Sequence, residues 1–236
     1  FRVLPKAPTR PTLDVRWPLG DERVLRFSAR EALGIPEQSL LLVLLEIAAF
    51  QYQAEGEACV LSQQIGTVQT PLALQLWHGL HVADTRATGR TIRLMTTWDD
   101  VHRRLGCGNG GSSIAVRREC LRRLCEVVVW EEDLQRRRSR QSLLLFLVEG
   151  DDRRLHLALS QRLASAFLGG QYARVSLAER LSLGQDAHQA LHAFLSTAIR
   201  PGHQLVVNVA TLLRRLWPDH NEQIGRASCR ERVSLN

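Results

Sequence analysis

The sequence predicts an α+β fold in which short helices pack on small antiparallel sheets. Three stretches carry that prediction. Residues 98–127 read as helix, glycine turn, helix; residues 126–150 read as strand, arginine-rich tip and return strand; residues 155–218 alternate strand and helix. The apolar period thus switches repeatedly between two and 3.6 residues along the chain. At 236 residues, 44% of them hydrophobic, the chain can hold two domains with a core each.

The first long helix spans residues 38–54. Its apolar run SLLLVLLEIAAF is interrupted by Glu46 and is too short for a bilayer, which makes it a buried core helix and leaves no membrane partner to expect. No charged-then-apolar leader precedes Phe1, so a cytoplasmic protein is expected, and the lack of an initiator methionine points to a missing front end.

The next helix, residues 98–105, follows Thr97, whose hydroxyl can accept a hydrogen bond from a first-turn amide that has no partner inside the helix. Asp99 and Asp100 lie at its positive end, Arg103 and Arg104 at its negative end, and Gly106 stops it. The run GCGNGGSS supplies a turn. Ser112 or Ser113 is then a candidate cap for a third helix reaching about Val127. This is helix-turn-helix order.

On the third helix Ile114, Val116, Cys120, Leu121, Leu124, Cys125 and Val127 form one stripe, with Arg118, Glu119, Arg122 and Arg123 on the other side. Arg117 falls inside the stripe, where it either extends outward from the helix start or meets a buried partner. A helix lined with arginines can lie in the major groove of double-stranded DNA and read guanine edges or grip phosphates. A solvated face, with Glu119 and Arg123 paired one turn apart, fits the same residues.

The following run, EVVVWEEDLQRRRSRQSLLLFLVEG, places Arg136, Arg137, Arg138 and Arg140 at a tip between two β-prone segments. Such a wing would hold several cations against a phosphate backbone, although an ordinary charged surface loop has the same composition. Helix and wing together argue for a winged helix.

In the last stretch a strand at 155–159 turns His156 and Ala158 outward, Ser160 caps a helix over 161–168, and Gly169-Gly170 ends it. A second helix follows from Asp186, with Ala187, Ala190, Leu191, Phe194, Leu195 and Ala198 at helical spacing and a stop at Arg200-Pro201-Gly202. An extended LVVN leads into a helix at 209–217, where Arg214 and Arg215 either contact a nucleic-acid backbone or form the polar side of a packed helix.

Charge needs care. The 31 basic residues against 24 acidic give +7, but 30 of the 31 are arginine and Lys6 is the one lysine. That skew reflects the base composition of the encoding genome, so placement rather than number carries any argument for DNA. Cys107, Cys120 and Cys125 have no paired knuckle spacing, which favours buried thiols over a zinc site, and His78 and His81 fit surface or core positions better than metal ligands. GCGNGG lacks the Gly-Lys-Ser/Thr of a phosphate loop, and no nucleophile elbow or paired-histidine motif is present. No enzymatic activity, cofactor or metal is expected.

The order of elements in 155–218, above all RVSL through IRPG and again TLLRRLWP, resembles the second winged-helix domain of plasmid replication initiators, closest to the IncQ-type replication protein C family. LDVRWPLGDERVLRFSAREALG, at 13–34, resembles the amino-terminal strand pair of the same family. The resemblance implies tandem winged-helix domains: a first over 1–150, a second over 151–223 that lacks its reading helix and closing wing, and a tail over 224–236. Within the tail, IGRASCRERV resembles a translated sequencing adapter and is expected to be non-native and disordered. Without it the net charge falls to +5, through loss of Arg226, Arg230, Arg232 and Glu231.

By that resemblance the protein binds repeated sites at a plasmid origin, helps open the duplex and recruits host replication proteins, with a homodimer as a further implication. A winged-helix transcriptional regulator, or an interaction module that has lost DNA binding, are the alternatives.

Overall fold

The structure, a computed structural model, describes residues 1–4, 9–62, 66, 69–80, 89–107, 110–135, 138–150, 153–169, 173–199, 202–216 and 232–235; for 138–140, 214–215 and 232–235 it describes the backbone. Two compact units emerge. The larger joins Pro11–Ala32 to Ser39–Tyr172, and the smaller joins Phe1–Arg10, Leu33–Gln38 and Ala173–Asn236.

The larger unit opens with the hairpin β1 (Leu13–Leu19) and β2 (Arg23–Ala29), turned at Gly20 with φ of +71°. Helix α1 (Ile35–Glu55) starts three residues earlier than its apolar run suggests, because Pro36 is tolerated in a first turn and the Glu37 carboxylate accepts from the Gly34 amide at 2.8 Å. After α1 come β3 (Val60–Leu61), α2 (Pro71–Leu80), β4 (Thr91–Thr97), α3 (Trp98–Arg104) and α4 (Gly111–Cys125). Then follow β5 (Val128–Asp133), β6 (Arg138–Leu143), β7 (Leu145–Glu149), β8 (Arg154–Leu159) and α5 (Gln161–Leu168).

The strands form two antiparallel sheets, ordered β1-β2-β5-β6 and β3-β4-β8-β7. Period-two alternation puts Leu155, Leu157 and Leu159 of β8 on one face with Ile92 and Leu94 of β4, all buried. Helices α3 and α5 pack against β4, and α4 packs against β7. Ala158 was expected to face outward; it is fully buried, because α2 covers that second face with Ala73, Leu76, Trp77 and Leu80. Phe146 of β7 lies against the same cluster. Gly79 makes this approach possible: a Cβ there would meet the Phe146 ring at 2.2 Å.

The two β-prone runs after α4 do make a hairpin, but not the expected wing. β5 pairs with β2 as well as with β6, so the hairpin extends the β1-β2 sheet. The return strand breaks at Leu144, whose amide donates to the Val127 carbonyl at 2.8 Å and whose carbonyl accepts from the Ser160 amide at 2.9 Å, and β7 then enters the other sheet. With the hairpin set aside as an insertion, the order is α2, β4, α3, α4, β7, β8, with β8 lying between β4 and β7. That is the order of a winged helix. Its wing is the turn joining β7 to β8.

The sequence reading assigned β8 and α5 to the second module; they belong to the larger unit because β8 pairs with both β4 and β7. The smaller unit carries α6 (Leu177–Ser182), α7 (Asp186–Ala198), β9 (Leu205–Asn208), α8 (Val209–Leu216) and β10 (Arg232–Leu235). Ser176 caps α6 and the Asn208 carboxamide caps α8 through the Ala210 amide. Arg180 of α6 is fully buried, donating to the Gln189 carbonyl at 2.5 Å and the Gln38 side chain at 2.8 Å. The tail expected to be disordered supplies β10, since RVSL is β-prone and pairs antiparallel with LVVN of β9. Among the described residues no helix is long and apolar enough to cross a membrane.

Candidate nucleic-acid interface

Sequence dictates the helix pair directly. Thr97 caps α3 by accepting from the Asp100 amide, as its position before an acidic first turn requires. Gly106, at φ +65°, ends α3 with paired bonds from the Gly106 amide to Arg103 and from the Cys107 amide to His102, the Schellman arrangement that only a left-handed residue permits. Ser112 and Ser113 do not cap α4. The cap position is Gly110, which makes no side-chain bond, and both serines lie inside the first turn, Ser112 exposed.

Helix α4 buries Cys120, Leu121 and Leu124. At roughly 1.5–3 kcal/mol for each fully buried large aliphatic side chain, this face holds the helix to the sheet. Arg117, the exception in the apolar stripe, is half-buried and reaches the Cys107 sulfur at 3.3 Å with Nη2. It stiffens the turn between the two helices rather than pointing outward. Burial pushes the Cys125 thiol up to about 12, with Glu126 adding to the effect. That leaves it protonated and inert at neutral pH.

The three remaining cations of the expected reading face divide sharply. Arg122 is bound by Glu119 at 2.6 Å and by Glu126, and lies 4.0 Å from Glu31. Donating to the Glu119 carboxylate raises its pKa. Arg123, with 16% of its side chain exposed, donates to Glu31 at 2.6 Å and lies 2.9 Å from Glu119. The C-terminal half of α4 is therefore charge-compensated from within the protein. Arg118 is different: it is exposed, and its guanidinium stands over the Trp98 ring at 5.9 Å, a cation–π contact worth about 0.5–1 kcal/mol.

Arg118 lines a cleft of about 580 Å³ between the start of α3, the N-terminal half of α4 and the β7–β8 turn. Arg153, Arg154, Asp99 and Glu149 line the same cleft. The turn is held by the Gly150 amide bonded to the Arg154 carbonyl at 2.9 Å, and Arg153 adopts φ of 63°, a left-handed conformation strained for a residue with a long side chain.

Sequence reasoning missed Arg153 and Arg154. The signal was present: GDDRR is a turn sequence between two alternating apolar runs, but it fell on an assumed domain boundary. Of the expected wing cations, Arg136 and Arg137 lie outside the described residues, and the register sets Arg138 opposite Asp133 and Arg140 opposite Glu131 in a strand rather than at a tip. Arg214 and Arg215 fall on α8 in the smaller unit. His78 is an exposed residue of α2, and His81 lies outside the described residues.

A helix-turn-helix seated on the four-stranded antiparallel sheet β3-β4-β8-β7, with a basic turn beside its second helix, defines an α+β protein of winged-helix order. The chain belongs to the replication protein C (RepC) family, whose model matches residues 1–234. That family places it in plasmid replication initiation. Among solved structures it is similar to domains 2 and 3 of RctB, with a TM-score of 0.57 at 12% identity over 92% of this chain and 74% of that one. A second crystal structure of RctB domains 2–3 gives 0.56 at 10% identity, over 93% and 75%. At these identities the likeness is one of fold. No curated protein sequence matches the chain.

Proposed function

We propose that this protein initiates plasmid replication by binding repeated duplex sites at the origin, destabilising the adjacent duplex and gathering host replication proteins, through binding energy alone and with no catalytic step. The observation that carries this reading is the cleft lined by Arg118 of α4 together with Arg153 of the β7–β8 turn and Arg154 at the start of β8. In helix-turn-helix proteins the N-terminal residues of the second helix meet the base edges. Here that end of α4 is exposed at Ser112, Ala115, Val116 and Arg118, while the other end is occupied by its own carboxylates. A basic turn beside such a helix is placed to grip the flanking phosphates.

A second copy of the chain is a reasonable partner: β1 is an edge strand and exposes Val15 and Trp17.

The test is binding of the full chain to a duplex carrying tandem repeats from beside an AT-rich segment of its plasmid, against a scrambled duplex of equal length. Alanine at Arg118, Arg153 or Arg154 should each weaken binding and reduce the slope of log K against log salt by about 0.9. Equal affinity for repeats and scrambled duplex, with an unchanged slope in all three variants, refutes the reading. A preference for one palindrome near a promoter would point to a transcriptional regulator instead.

A further inference from the structure

We propose that α4 reads thymine methyl groups in the major groove, with Val116 as the contacting side chain and Ala115 beside it. This rests on the DNA-binding reading above. Helical spacing puts Val116 in the buried stripe, yet its side chain is 55% exposed, and Ala115 next to it is exposed as well. No core position is served by it. A β-branched residue on a solvated helix is also a poorer helix former than alanine, so local stability does not account for it either.

Its surroundings point to what it meets. Ser112 lies one turn before Val116, Arg118 lies one turn after Ala115 at the cleft edge of the exposed side, and the Glu31, Glu119, Arg122, Arg123 and Glu126 network occupies the C-terminal half of the helix. The outward surface of the N-terminal half of α4 is thus a hydroxyl, two apolar groups and one cation. A flat protein partner would meet only a small apolar island between a hydroxyl and one guanidinium group. The major groove offers a better match: thymine presents a C5-methyl that apolar side chains touch, guanine presents two acceptors that suit arginine, and a hydroxyl serves either. The geometry points to a site in which thymines lie under Val116 and Ala115 with a phosphate or guanine at Arg118.

The experiment begins with selection by the full chain from a duplex library with a randomised segment, and then remakes the selected duplex with deoxyuridine in place of each thymidine in turn. This deletes one methyl and leaves every hydrogen-bonding group. At one or two positions the wild-type chain should bind about fourfold more weakly, the worth of one buried methyl-sized group. Val116→Ala should lose that sensitivity. The substitution is exposed and improves helix propensity, and a matching thermal melt checks that the variant is folded. If every deoxyuridine duplex binds wild type equally while Arg118→Ala still weakens binding, methyl reading is overturned and DNA binding stands. Undiminished sensitivity in Val116→Ala overturns the role of that residue. No enrichment in the selection and no effect of Arg118→Ala sink both.

Discussion

Replacing Gly79 by alanine tests the packing that sets the height of the β7–β8 turn. A Cβ at this position falls 2.2 Å from two atoms of the Phe146 ring and 2.5 Å from a third, more than an ångström inside ordinary contact. Two effects oppose one another. Alanine in a helix interior gains about 1 kcal/mol over glycine, whereas overpacking a well-filled core costs about 1–3 kcal/mol. The ring cannot retreat cheaply, because it packs on the cluster of Leu61, Ala73, Leu76, Trp77, Leu80 and Ala158. The clash should win, leaving the variant less stable by up to about 2 kcal/mol, or a fall in Tm of up to roughly 8 °C for a unit of this size. Urea and thermal unfolding followed by circular dichroism measure this, and Gly79→Ala/Phe146→Leu, which trims the ring, should recover most of the loss. A Gly79→Ala variant as stable as wild type, or more stable, would refute the close approach of α2 to β7.

Arg122→Ala should leave the salt slope of DNA binding within experimental error of wild type, because Glu119 and Glu126 already neutralise that guanidinium; a slope reduced by about 0.9 would show that it reaches phosphate. Asp100 gives a pH signature. Burial raises its pKa, but hydrogen bonds from Arg103 and Arg104 outweigh that and hold it below the usual 3.8. A depressed folded pKa means its contribution is complete above the unfolded value near 3.8 and is lost as pH falls through the lower folded one. Unfolding midpoints between pH 5 and about 2 should therefore fall less steeply in Asp100→Asn, by an amount no larger than about 1 kcal/mol for so screened a site; parallel profiles would contradict this.

Where a residue's role is local, the sequence disclosed it. Thr97 and Ser160 cap their helices as their positions require, Gly106 stops α3, and α7 starts at Asp186 and ends at Ala198. Each depends on neighbours within four residues. What sequence could not disclose depended on pairing across long separations. EVVVWEED is equally suited to a wing and to an inserted sheet strand, and the choice was made by β2, a hundred residues earlier in the chain, which lines up Phe27 with Val129 and Leu25 with Glu131. Ala158 looked outward because strand alternation says nothing about whether a helix lies over the second face. For the site itself, the helix-turn-helix was legible from glycines and apolar spacing. The division of its arginines was not, because Glu31, ninety-two residues earlier in the segment between β2 and α1, holds Arg123.

The bond from the Leu144 amide to the Val127 carbonyl has a consequence for the β5–β6 hairpin. The β5–β6 hairpin pairs with β2 but is closed at its root by that bond, so added length in it need not change the register of β7. A loop already closed at its root adds little entropy when lengthened, about 0.6 kcal/mol for each doubling. Length can therefore be added to or removed from that hairpin while the cleft beside α4 keeps its geometry.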